Sequence, residues 1–249
     1  MKGMSILPGK VERALTKVLG HESALSDEEA AYRRLIAKDF RPAGIIDVGA
    51  YQGDWTRLAH RLFPDAPILM VEAQDAKAAG LQAICTELDN VSFASAVLGS
   101  TAGREVTFYE METGSSYFPE QSNAPRKERT YVTRTLDELA QGFAAPLFLK
   151  VDVQGAELEI LAGGGETLSR CELVQLEVAL LPYNKGAPTM LEVLNAMDWK
   201  GFVPLDISGF SRPNGVDLVQ VDILFAQRGS ALRPEFISFD HFAPATPEG

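Results

Sequence analysis

A short apolar run with charges inside it is the first place in this chain where chemistry could be done. In LFLKVDVQGAELEIL, residues 147–161, Lys150 and Asp152 interrupt a strand-like stretch, and Gln154 and Glu157 follow closely. Buried charges cost several kcal/mol unless paired, so these side chains need partners or a ligand to face. Acids also mark three other apolar runs. Asp47 ends "GIID" and leads into Val48-Gly49-Ala50-Tyr51-Gln52-Gly53, Glu72 closes "ILMVE", and Glu177 interrupts "VQLEVAL". A carboxylate at a cleft can act as a base, hold a metal or accept a ligand's hydroxyls.

The turn after Asp47 narrows the ligand. Its glycines permit a tight bend and close backbone approach, and the helix that follows offers free N–H groups to an anion. The spacing is one Gly-x-x-x-Gly without a following Gly-Lys-Ser/Thr. It therefore fits neither the dinucleotide fingerprint nor a phosphate loop. An amino acid, with an ammonium and a carboxylate and no phosphate, suits Asp47 and the helix N–H groups better. Glu72 lies about 20 residues beyond, where an acid can accept both hydroxyls of a ribose. Amino acid and ribose together describe S-adenosylmethionine. Gly49, Ala50, Tyr51, Gly53 and Ala73 would surround it, Ser95, Ala96 and Val97 would border its adenine, and Asp152 would emerge near its methionine end.

These residues need a frame. "GIIDVGA", "PILMVEA" and "VSFASAVLG" read as strands, with helices at Asp54–Phe63 and Asp75–Leu88 between them. Continuous apolar runs imply strands covered on both faces, and the alternation implies a doubly wound parallel sheet. "REVTFYEM" alternates as a half-exposed strand does. "ETGSSYFPEQSNAPRKE" reads as a surface flap, in which Ser115 and Ser116 could close over the site. "TRTLDELAQGF" is helical, with Thr135 a candidate cap. The rhythm resumes with the strand "PLFLKVDV", a helix at Ala156–Ser169, the strand "CELVQLEVAL" and a helix at Pro188–Trp199. "GFVPLDISG" and "VDLVQVDILFAQ", joined through Pro-Asn-Gly without a helix, predict an antiparallel last pair. Upstream, Lys10–Phe40 is helical, with a stripe at Val11, Leu15, Val18 and Leu19 and a cap at Ser26. The expected organisation is a helical extension over residues 1–40, one domain over 41–228 and a tail over 229–249.

Composition sets the partners. A net charge of −11 over 249 residues argues against nucleic acid, which demands a concentrated basic surface. No stretch is apolar enough to span a bilayer, and no secretory signal opens the chain. Cys85 and Cys171 lack metal spacing and read as reduced thiols. A cytoplasmic enzyme with a small-molecule acceptor is the expectation. Oligomeric state is open, because the N-terminal helices could equally cap the site or form a homodimer contact.

The segments "IIDVGAYQGDWT", "ILMVEA", "LFLKVDVQGAELEIL", "VQLEVALLPYNKGAP", "DISGFSRP" and "QVDILF" resemble the FkbM family of methyltransferases over roughly Ile45–Phe225. "KVDVQGAELEIL" is the most specific piece. The resemblance implies a Class I S-adenosylmethionine-dependent fold, a seven-stranded mostly parallel sheet in the order 3-2-1-4-5-7-6 with an antiparallel last strand. It also implies methylation of hydroxyl oxygens, often on sugars or polyketide-like products. Tyr51 and Gln52 depart mildly from residues common between the family's two glycines.

On this frame Asp152 is the first candidate for a base or metal ligand, and Glu177 the second. Lys150, on the same strand face as Asp152, joins them as a pairing partner of Asp152 or Glu177. Gln154, Glu157, Tyr183, Asn184 and Lys185 are expected to shape the acceptor pocket, although Glu157 also suits a plain helix start. A divalent metal on Asp152, Glu157 and Glu177 is possible in principle, and none is predicted. His21, His60 and His241 fall outside the expected site. The alternatives are a nicotinamide-dependent oxidoreductase, disfavoured by the missing third glycine, and a non-catalytic binding module on the same fold.

Overall fold

The computed structural model describes residues 25–111, 116, 118, 126–181, 184–234 and 236. The apolar stripe from Val11 to Leu19, Ser115, Tyr183 and most of the tail lie outside them. Helix α1 (Asp27–Ala37) opens on Ser26, whose hydroxyl accepts the Glu29 N–H at 3.1 Å, and Asp27, Glu28 and Glu29 place acids in its first turn. Then follow β1 (Gly44–Val48), α2 (Asp54–Leu62), β2 (Ile68–Glu72), α3 (Asp75–Glu87), β3 (Val91–Ser95), β4 (Val97–Leu98), β5 (Glu105–Glu110), β6 (Lys127–Arg134) and α4 (Leu136–Leu139). The rest comprises β7 (Leu147–Val151), α5 (Glu157–Ala162), α6 (Gly165–Arg170), β8 (Cys171–Ala179), α7 (Met190–Trp199), β9 (Phe202–Ser211) and β10 (Gln220–Gln227).

Seven strands form the main sheet in the order β3-β2-β1-β7-β8-β10-β9. The first five are parallel, and β10 runs antiparallel to both β8 and β9. In ordinal terms this is the expected 3-2-1-4-5-7-6. Strands β1, β2 and β7 are buried at every residue, as their unbroken apolar runs require.

Alternation along each strand divides the core in two. Ile46, Val48, Leu149 and Val151 face Ile160, Val193 and Met197. Ile45, Met70, Phe148 and Leu224 face the other way, onto Tyr32, Phe40, Trp55 and Phe63. Phe148 meets the edges of Trp55 at 5.5 Å, Tyr32 at 5.6 Å, Phe40 at 6.1 Å and Phe63 at 6.3 Å between ring centroids. Helix α1, assigned to an extension, thus contributes Tyr32 and Leu35 to this core.

Three local expectations need correction. "VSFASAVLG" is not one strand: it divides at Ala96, and β4 leaves the main sheet to pair with β6 in a second sheet ordered β4-β6-β5. "TRTLDELAQGF" is strand through Arg134, and only Leu136–Leu139 is helix, opened by a Thr135–Glu138 capping box. Tertiary pairing overrides helical propensity there. The helix expected over 156–169 breaks at Gly163 and Gly164. A Cβ at Gly163 would lie 2.3 Å from the Gly99 carbonyl oxygen, and one at Gly164 would lie 2.7 Å from Leu136 Cδ2. The second half restarts on Asp137, whose carboxylate accepts the Thr167 N–H at 2.7 Å and the Glu166 N–H at 3.1 Å.

Among the described residues no helix is long and apolar enough to cross a membrane. Phe148→Ala should lower unfolding free energy by about 3–5 kcal/mol, since it empties the centre of the aromatic cluster. Chemical denaturation measures this, and a loss below about 1 kcal/mol would show that the cluster collapses around the gap.

Candidate active site

In an open α/β sheet the ligand sits outside the carboxyl ends of the strands, where strand order reverses. Here that point lies between β1 and β7, and a cavity of about 220 Å³ opens over it. One end is formed by Glu72, Ala73 and Gln74, the other by Asp152, Val153, Gln154 and Glu177. Gly49 and Tyr51 lie along it. Ala96 and three residues of the small sheet, Val97, Leu98 and Phe108, complete the lining.

The glycine turn is shaped by a close crossing. Gly49 has φ +81°, and a Cβ there would lie 1.9 Å from the backbone oxygen of Asp152. Only glycine lets the two strand ends meet this closely. Tyr51 is also left-handed, at φ 51°, and its N–H is donated to Glu72 Oε2 at 2.9 Å. Glu72 Oε1 accepts the Ala73 and Gln74 N–H groups, both at 2.9 Å. Burial pushes the Glu72 carboxyl above its ordinary value, against the pull of these three N–H groups. The carboxylate is thereby held rigidly, with acceptor capacity left on Oε2.

Beneath the other end runs a row of polar side chains on the aromatic face of the sheet. Strand register puts Asp47 beside Lys150 and Lys150 beside Gln175. It also puts Glu177 beside Asp222. Lys150 Nζ lies 3.2 Å from Asp152 Oδ2, 3.5 Å from Asp47 Oδ1 and 5.5 Å from the centre of the Trp55 ring. Burial opposes its charge, but the Asp152 and Asp47 carboxylates outweigh burial and hold the ammonium well above its usual range. Asp47 also accepts the Thr56 hydroxyl at 2.6 Å, and burial raises its carboxyl despite Lys150. Burial, then the charges of Asp152 and Glu28, push Asp222 up to about 7.

Gln154 ties the acids together. With φ 59°, it donates from Nε2 to Asp152 Oδ1 at 3.3 Å and to Glu177 Oε1 at 2.8 Å. Gln220 donates to Glu177 Oε2 at 2.6 Å.

The Methyltransferase FkbM domain family matches residues 47–204, more than half of the chain and the whole of this cleft's framework. The chain belongs to the FkbM methyltransferase family. Similar solved structures include EvdMO1, at 12% identity and TM-score 0.49 over 88% of this chain and 47% of that one. Methyltransferase FkbM from Methylobacillus flagellatus KT shares 15% identity at TM-score 0.47, over 81% of this chain and 45% of that one. The S-adenosylmethionine-bound magnesium protoporphyrin IX methyltransferase of Synechocystis PCC 6803 shares 10% at TM-score 0.47, over 91% of this chain and all of that one. The chain spans about half the length of the first two. No curated protein matches.

The matched family is described as a methyltransferase domain. Of the residues singled out from sequence, Gly49, Tyr51, Glu72, Ala73, Ala96, Asp152, Gln154 and Glu177 line the cleft. Asp47 does not: it is fully buried, because its position in β1 turns it onto Thr56 and Lys150 beneath the sheet ends. Lys150 pairs with Asp152 and Asp47; no pairing with Glu177 forms. Ala50, Gly53 and Ser95 lie outside the cleft lining. Gly53 is the N-cap of α2, and Ser95 ends β3 exposed. Ser116 is buried in a bridge to Tyr109, and Lys185 is exposed.

Glu157 turns back on its own loop, accepting the Gly155 N–H at 3.0 Å and the Val153 N–H at 3.2 Å. It shares a separate small cavity with Asn184 and one side of Glu177. The acids at 152, 157 and 177 therefore do not converge. Among the described residues, no group of three or more His, Cys, Asp or Glu side chains is arranged to hold a metal ion. Val97, expected at the adenine, lines the cleft too, and sequence reading missed Gln74, Leu98, Phe108 and Ile160 in the cleft and Gln220 behind Glu177. The buried position of Phe108 in the alternating "REVTFYEM" was the available signal.

Burial pushes the Glu157 carboxyl from 4.5 to about 7, against the pull of the loop N–H groups. The folded protein thus retains a proton that the unfolded chain releases, so this group's contribution to stability falls as pH rises from about 4.5 to about 7. Glu157→Gln keeps an acceptor for the two N–H groups without the charge. It should match the parent at pH 4.5 and exceed it by about 2–3 kcal/mol at pH 8. Unfolding midpoints at the two pH values test this, and an equal difference at both would refute it.

Proposed function

We propose that this chain transfers the methyl group of S-adenosylmethionine to a hydroxyl oxygen of a small molecule, such as a sugar or a natural-product precursor. The observation that carries the reading is a single cleft with the rigid Glu72 carboxylate at one end and Asp152 and Glu177 at the other. The residues present fit the donor. Glu72 Oε2 can accept a ribose hydroxyl, and Val71, Val97, Leu98, Phe108 and Ile160 supply apolar walls for a flat base. Gly49 lines the cleft beside the end of β7, where the methionine portion would lie.

When bound, S-adenosylmethionine supplies an electrophilic methyl carbon. A free hydroxyl is a weak nucleophile with a high pKa, so the protein must hold it in line and remove its proton. Asp152 and Glu177 are placed to accept that hydroxyl's hydrogen bond and take its proton as the new carbon–oxygen bond forms. Lys150 positions Asp152 from below, with Nζ 3.2 Å from Asp152 Oδ2. Val97, Leu98 and Phe108 of the small sheet give the cleft an apolar wall.

Calorimetry should detect S-adenosylhomocysteine binding to the full chain, and Glu72→Ala should weaken it about 10–100-fold, or roughly 1.4–2.8 kcal/mol. With labelled S-adenosylmethionine and a panel of sugars and polyketide alcohols, Asp152→Asn and Glu177→Gln should each lower transfer by about 10²–10⁴ while leaving cofactor binding intact. Unchanged transfer in both variants would remove these residues from the chemistry. Absence of S-adenosylhomocysteine binding alongside retained NAD binding would overturn the reading itself.

A further inference from the structure

Two carboxylates sharing one end of a cleft repel each other unless a proton, a cation or hydrogen-bond donors stand between them. Asp152, just past the end of β7, and Glu177, on the neighbouring β8, are such a pair, joined by one side chain. Gln154 Nε2 carries two protons and has two acceptors, Glu177 Oε1 at 2.8 Å and Asp152 Oδ1 at 3.3 Å. The outer oxygens are also satisfied, Asp152 Oδ2 by Lys150 at 3.2 Å and Glu177 Oε2 by Gln220 at 2.6 Å. All four carboxylate oxygens therefore have a donor, and the point between the inner two is filled by an amide nitrogen.

The backbone is built to put that nitrogen there. Gln154 adopts φ 59°, a conformation costly for a residue with a Cβ and kept only where the surroundings enforce it. The enforcement is visible on both sides. The buried Asn184 side chain donates to the Gln154 carbonyl oxygen. Next in the chain, Gly155 is packed so closely that a Cβ there would lie 2.5 Å from Ala187 Cβ.

We propose that Gln154 is a positioning residue whose side-chain amide occupies the place a divalent cation would fill between Asp152 and Glu177. The amide then holds the inner oxygens of the two acids at a set separation, while the Lys150 ammonium holds the outer oxygen of Asp152. This rests on the reading of Asp152 and Glu177 as acceptor-facing groups. It also makes Gln154, expected to touch substrate, a residue that acts through its neighbours. An oxygen in place of the amide nitrogen would convert the arrangement into three convergent carboxylates, a donor set suited to a hard divalent ion.

Mn²⁺ titration followed by water-proton relaxation tests this on the full chain without an acceptor. The parent should show no site up to about 5 mM, while Gln154→Glu should gain one at least about tenfold tighter. Glu177→Gln added to Gln154→Glu should abolish it, which locates the ion. A parent site tighter than about 1 mM that Glu177→Gln removes would overturn the proposal. So would a Gln154→Glu protein that melts normally yet gains no site. If Gln154→Glu does not fold, Gln154→Ala serves instead. With the amide donor lost, carbon-13 titration should move the Glu177 carboxyl upward from the parent's position, and an unmoved Glu177 titration would overturn the proposal. Failure of S-adenosylhomocysteine to bind would sink the methyl-transfer reading alone and leave the Mn²⁺ result standing.

Discussion

The buried ammonium of Lys150 is the interaction on which the cleft depends. It lies between Asp47 on the first strand and Asp152 just past the seventh, with the Trp55 ring beside it. Desolvating Lys150 and Asp47 is costly, and removing either partner leaves an uncompensated buried charge worth about 3–5 kcal/mol. The half-buried Asp152 completes the group. Asp152 is held by this contact in the same stretch where its carbonyl passes over Gly49, so the crossing of the two strand ends and the direction of the Asp152 carboxylate are set by one cluster.

The rest of the polar row follows from that anchor. Side chains on a strand alternate between faces, so the residues opposite and two removed from Lys150 must share its side. Gln175 and Glu177 on β8, and Gln220 and Asp222 on β10, accordingly line up beneath the strand ends. Glu28 and Tyr32 reach the row from α1, joined at 2.8 Å, with Gln175 donating to Glu28 at 2.9 Å. The same face carries the aromatic cluster around Phe148. Apolar packing and charge pairing thus divide one surface of the sheet, with aromatics toward the middle and charges toward the functional edge. A further consequence is pH sensitivity, since Glu157 and Asp222 are both held near neutrality by burial.

Much of the site was legible because its residues end strands. Gly49, Glu72, Asp152 and Glu177 stand where apolar runs stop or are broken, and position relative to a strand end is a local property. Asp47 shows the limit. It stands two residues before Gly49, yet which face it takes depends on where the sheet's two cores lie. Glu157 shows another: the loop N–H groups it satisfies are created only when residues 152–156 fold back. Phe108 and Leu98 were unreadable as cleft residues because the second sheet pairs them with Arg129 and Arg134, well beyond any local pattern.

The sequence by itself determined the alternation of strands and helices, the doubly wound class, the antiparallel last pair and the strand-end acids. Hydrophobic period and turn residues encode these within a few positions of each other. Only the tertiary structure decided that the helix after β7 breaks where Gly163 presses on Gly99, that Lys150 pairs with Asp47 and Asp152, and that Gln154 stands between the two acids of the cleft. Those outcomes are contacts between segments distant in the chain. Close packing and the cost of leaving a buried charge or polar group unpaired select them, and neither acts until the segments have met.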